Sequence, residues 1–133
     1  MFVFARSGTN WAQQGPELFP NDVIGEEIFG SSVALSDDGN IALVGGSQDN
    51  EGVGAAWLFN RSGSTWTQQG PKLKGAGEIG RGEFGAKVAL SSDGKVALIG
   101  GPENNHGVGA AWAFVNVGSP KSRGKAHSKR TAG

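Results

Sequence analysis

Twelve acidic side chains, two histidines and four tryptophans are the groups in this sequence with most chemistry to offer. Eight of the acids fall in four short stretches, residues 19–28, 47–51, 74–83 and 102–106: Asp22, Glu26, Glu27, Asp49, Glu51, Glu78, Glu83 and Glu103. Only Lys74 and Arg81 oppose them there. A surface of one sign raises the local concentration of counter-charged ligands, so these acids, with Arg81 and His106, form a candidate partner-binding face. The competing reading is that they keep solvated loops soluble. Catalysis finds less support. His106 and His127 are the only side chains that ordinarily titrate near neutral pH, and neither neighbours a serine on a strand-to-helix turn. Glu26-Glu27 and Asp37-Asp38 are merely adjacent along the chain. The expectation is a non-enzymatic protein without a cofactor. With no cysteine there is no thiolate chemistry, disulfide or Cys-type zinc site.

Three further motifs have a bland reading beside the functional one. Trp11, Trp57, Trp66 and Trp112 would suit a sugar-stacking platform, but large aromatics at fixed strand positions more often pack a core. Gly52-Val53-Gly54 resembles a dinucleotide loop only faintly, because a strand follows it where a helix is required. Asn60-Arg61-Ser62 matches a glycosylation acceptor, a three-residue pattern that is frequent by chance.

Charge is unevenly placed. Lys121, Arg123, Lys125, Lys129 and Arg130 crowd the last fifteen residues without an acid, while the body carries seven basic residues against twelve acidic ones. Residues 119–133 are expected to be disordered, being almost free of apolar side chains. That tail has charge for nucleic acid but no aromatic to stack on bases, so nucleic acid is not the expected partner. No apolar run approaches the roughly 20 residues of a membrane span, and Met1 to Arg6 do not open a secretory signal.

The elements that position these groups come from an internal repeat. Trp11-Ala-Gln-Gln-Gly-Pro16 returns as Trp66-Thr-Gln-Gln-Gly-Pro71, and Gly52-Val-Gly-Ala-Ala-Trp57 as Gly107-Val-Gly-Ala-Ala-Trp112. Phe29-Gly30 followed by Val33-Ala34-Leu35-Ser36 returns as Phe84-Gly85 followed by Val88-Ala89-Leu90-Ser91. Every offset is 55, and residues 2–56 match 57–111 without a gap at 30 of 55 positions. Each copy reads as four short strands. One lies in 29–36, closed by Asp38-Gly39; Ile41 to Val44 is apolar throughout. Ala55 to Phe59 places Trp57 and Phe59 on one face, and Thr65 to Gln69 ends at Pro71. No apolar stretch of helical period reaches ten residues.

Phe29-Gly30 with Gly45-Gly46-Ser47, and Phe84-Gly85 with Gly100-Gly101-Pro102, resemble the FG-GAP repeat of integrin alpha chains and bacterial surface proteins. The resemblance covers residues 1 to about 116. It implies an all-β fold, antiparallel four-stranded blades of a β-propeller, here a partial propeller of about two blades. Residues 1–118 then hold repeats 2–56 and 57–111 and the start of a third at 112, ahead of the tail. It also implies a scaffold or adhesion-like binding module, secreted or at the cell surface, with a protein or glycan ligand. A lectin-like binder and a fragment of a larger propeller enzyme are the alternatives. In such a blade the 2→3 and 4→1 connections share one edge, which gathers the acidic stretches together. The integrin-type repeat carries a calcium loop, whose other ligand positions here fall on Ala34, Ser36 and Ala42, and on Ala89, Ser91 and Ala97. One carboxylate falls short of the six to eight oxygens that calcium takes, so no calcium is expected. Open blade flanks favour self-association, or pairing with further repeats.

Overall fold

The computed structural model describes residues 1–25, 29–115, 117 and 126–127. Over these the chain is all-β, in three antiparallel sheets. The first is a hairpin of β1 (Phe4–Ser7) and β2 (Asn10–Gln13). The second runs in the order β3 (Ser32–Leu35), β4 (Ile41–Gly46), β5 (Ala55–Ser62), β6 (Thr65–Gln68). The third holds β7 (Lys87–Leu90), β8 (Val96–Gly101) and β9 (Ala110–Val115), with β10 (Ala126–His127) on the far edge. A four-residue helical turn sits between the second and third strands of each large sheet, α1 (Asp49–Gly52) and α2 (Asn104–Gly107).

The second sheet contains the four strands that the repeat predicts, and the third reproduces its first three. Register repeats as well as sequence: Val33 lies opposite Val44, and Val88 opposite Ile99. The first strand of each repeat starts later than its apolar pattern, because Gly30 and Gly85 take positive φ and turn the chain before it. The β3–β4 connection is a polar turn in which Ser36 Oγ donates to Asp38 Oδ1 at 2.7 Å and the Asn40 N–H to the same oxygen at 2.9 Å. Ser91, Asp93 and Lys95 repeat it.

The fourth strand of the third sheet departs from the repeat. In β5–β6, Phe59 lies opposite Gln68; the repeat would set position 123 opposite Phe114, yet Ala126 stands there, three residues further on. Among the described residues two pairs join β10 to β9, against four between β5 and β6. Ala126–His127 belong to the stretch expected to be disordered and form backbone pairs instead; the other tail residues lie outside the described ones.

Strand alternation divides the interior in two. Ala55, Trp57 and Phe59 face one way, towards Leu18, Met1 and Val3, while Ala56 and Leu58 face the other, towards Phe84, Ile99 and Trp112. Trp57 and Trp112 are fully buried, as packing rather than display requires. Each meets, edge to face, the phenylalanine that precedes the first strand of its own sheet: Phe29–Trp57 at 5.5 Å and Phe84–Trp112 at 5.2 Å. Burial of such side chains is worth about 1.5–3 kcal/mol each. The second and third sheets meet closely enough that a Cβ on Gly45 would strike the Gly85 carbonyl. No helix among the described residues is long and apolar enough to cross a membrane.

Candidate functional site

The acidic stretches do come together along one edge of the sheets, and backbone bonds hold them there. The Asn50 N–H donates to the Ile24 carbonyl at 2.8 Å, and the Asn105 N–H to the Ile79 carbonyl at 3.1 Å. Asp49 Oδ1 accepts the Ile24 N–H at 2.7 Å, and Asn104 Oδ1 the Ile79 N–H at 2.8 Å. Between the two repeats the Glu83 N–H reaches the Gly52 carbonyl at 2.9 Å. Loops of unequal sequence are therefore fixed by equal bonds.

Their tips are strained alike. Asn50 and Glu51, like Asn105 and His106, sit at φ between 52 and 58°. Asparagine tolerates that region and the longer side chains do so at a cost. Glu51 and His106 are both exposed. Glu51 meets Arg81 at 3.2 Å, an exposed pair contributing little to stability. Glu103 is exposed, its N–H bonded to the Gly82 carbonyl at 3.2 Å, and Glu83 accepts from the Gln48 amide at 3.3 Å. These residues form the accessible part of the face.

Neither a protein-family model nor a curated protein matches this chain.

Two of the expected face residues serve the interior instead. Asp49 is buried and pairs with Lys72 Nζ at 2.6 Å. Asp22 accepts from the Trp57 indole at 2.8 Å, the Lys72 N–H at 2.8 Å and the Gln68 amide at 3.2 Å. Burial opposes its charge, but those donors and the Lys72 ammonium outweigh it and hold the carboxyl below its ordinary value. Glu78 is the opposite case. Half-buried, with Oε1 unpaired among the described residues, it is pushed up to about 7 by desolvation, which Lys74 only partly offsets. Glu26 and Glu27 lie outside the described residues.

Lys72 was absent from the sequence-based site because it lies outside the acidic stretches. A signal for it exists in the repeat. Asp49 belongs to the first copy and Lys72 to the second; the positions 55 residues away hold Asn104 and Glu17. Of the other motifs, Asn60-Arg61-Ser62 forms the end of β5, with Asn60 and Arg61 half-buried and Ser62 exposed.

Proposed function

We propose that this chain is a β-propeller segment of the FG-GAP type, a non-enzymatic scaffold or adhesion-like binding module of a secreted or cell-surface protein. The observation that carries the reading is the loop edge: side chains that differ between repeats stand on a backbone that does not. Variable groups on a rigid frame are where binding concentrates. The opposite edge, built on the Ser36–Asp38 and Ser91–Asp93 turns, is alike in both copies and offers little to distinguish a partner. Glu51, Glu103 and the strained His106 turn favour a cationic or hydrogen-bonding ligand, a basic protein surface or an amino sugar. The non-enzymatic part rests on Asp22 and Asp49, whose oxygens are engaged within the fold.

A panel of glycans and cationic peptides, screened against the wild type and a Glu51→Lys, Glu103→Lys variant, tests the reading. A ligand captured by the wild type and lost by that variant, but kept by a Ser92→Lys variant on the opposite edge, supports it. Ligands that respond equally to both variants would remove the loop edge as the site. The lectin-like alternative predicts that a glycan shifts tryptophan fluorescence through Trp11, the most exposed of the four.

A further inference from the structure

The two repeats provide an internal standard for what each position does when covered. Leu43, on the side of the second sheet that meets the third, is 0% exposed; Leu98, its counterpart 55 residues on, is 50% exposed. Val88 and Leu90 pack into the core between those sheets, while their counterparts Val33 and Leu35 are 59% and 60% exposed. Gly45 abuts Gly85, while a Cβ on its counterpart Gly100 would meet only Lys87 of the neighbouring strand, at 3.8 Å. Gly54 bridges to Phe84. Its counterpart Gly109 instead lines, with Gly100, a cleft of about 390 Å³. Each open position on the third sheet thus has an open complement near the start of the chain.

Two buried polar atoms say the same independently. Gln14 Oε1 accepts the Trp66 indole N–H at 3.0 Å. Its counterpart Gln69 Oε1 is buried without a partner among the described residues. The tryptophan that corresponds to Trp66 at the other end is Trp11, 67% exposed. Likewise Asp49 is paired by Lys72, whereas the Nδ2 of Asn104, itself fully buried, has no partner among the described residues. The residue 55 before Lys72 is Glu17, an acceptor for that donor.

We propose that a second copy of this chain docks on the third sheet by repeating the operation that relates the second sheet to the third. The Phe29–Gly30 turn of the incoming copy enters the cleft over Gly100 and Gly109, and its Val33 and Leu35 cover Leu98 and Val96. Its β2 becomes the in-register fourth strand beside β9, bringing the Trp11 indole to Gln69 Oε1 and the Glu17 carboxylate to Asn104 Nδ2. Two exchanges make room. The off-register β10, joined to β9 by two residue pairs among the described residues, gives way to β2. The incoming copy's own β1, exposed along its whole length, gives way to β9. The contact is heterologous, so copies add head to tail until the rotation closes. This rests on the propeller reading for its closure: with about four to eight blades per ring, about two to four copies complete one.

Sedimentation velocity at micromolar concentration, with electron micrographs of the same sample, tests it. A discrete oligomer of about two to four copies is expected. Gly100→Ala and Leu98→Glu, both at positions open in the single chain, should shift it to the mass of one chain with unchanged circular dichroism. β5–β6 places Asn60 opposite Thr67, so β9–β2 should place Val115 opposite Ala12 of the next copy. Mixed under oxidising conditions, Val115→Cys and Ala12→Cys chains should form a covalent dimer that a mixture of Val115→Cys with Ala5→Cys chains does not. A wild type that sediments as one chain overturns the docking and leaves the propeller reading standing. So does an oligomer that survives both substitutions without the cross-link. Cross-linked copies in open rows rather than rings uphold the docking and overturn the propeller reading.

Discussion

Asp22 and Glu78 show how one chain sets two carboxyls apart by hydrogen-bond supply. Asp22 is given three donors and stays charged; Glu78, with no partner at Oε1 among the described residues, is pushed up to about 7 by desolvation. The sign of the stability effect follows. Between its ordinary value of 4.5 and about 7, Glu78 holds a proton in the folded state and loses it in the unfolded one. The unfolded state then binds fewer protons, and stability falls as pH rises through that window. Thermal unfolding of the wild type and Glu78→Gln across pH 4 to 8 checks this, the variant gaining relative to the wild type towards pH 8. An unchanged difference across the range would mean that the carboxyl is well solvated. Trp57 gives a simpler expectation. Its side chain is fully buried against Phe29 and its indole N–H is bonded to Asp22. Trp57→Ala should cost about 3–5 kcal/mol in a denaturant titration, much of the stability of a small domain.

At the scale of elements, turns and loops carry opposite designs. The Asp38 turn is self-satisfied: Ser36 Oγ and then the Asn40 N–H hold that carboxyl below its ordinary value, as the Lys95 N–H and Ser91 Oγ do for Asp93. With Ala34 and Ala42 at other calcium-ligand positions, millimolar calcium should leave the melting temperature where chelator leaves it. A calcium-dependent rise would reveal binding to the folded state. The α1 and α2 loops hold strain instead, at Glu51 and His106. Glycine is free of the Cβ conflict there, so Glu51→Gly and His106→Gly should each stabilise the fold, by about 1 kcal/mol or less. Lys72 ties the loop edge to the sheet. Lys72→Met strands the buried Asp49 carboxylate and should cost about 3–5 kcal/mol; adding Asp49→Leu should recover much of it, because a buried pair is replaceable by apolar packing.

Across the whole molecule the repeat acts as one operation applied in succession. The second and third sheets pack through Leu43, Phe84 and Ile99, with Gly45 and Gly85 allowing the backbones to meet. Gly45→Ala should force them apart and cost about 1–3 kcal/mol, in the range of overpacked cores. Gly100→Ala, the same change one repeat later, should leave the stability of the single chain unaltered. Equal losses in the two variants would show that Gly100 is already covered within one chain.

The 55-residue repeat, the strands within it and the loop edge were legible in the sequence, because they depend on local alternation, glycine placement and self-similarity. The Asp38-Gly39 turn was legible for the same reason. Sequence proximity misled at Asp49 and Asp22, whose place in an acidic stretch suggested solvent. Whether a carboxylate faces water or Lys72 depends on segments 23 and 50 residues apart in the chain, and no local pattern carries that. The tertiary structure alone decided the register of β10, three residues off the repeat. It also separated equivalent residues by what covers them. Leu43 and Leu98 are the same residue in the same strand context; one is buried because a sheet packs on it and the other stands open. Burial belongs to the neighbour as much as to the residue, and neighbours are assigned only when the chain is folded.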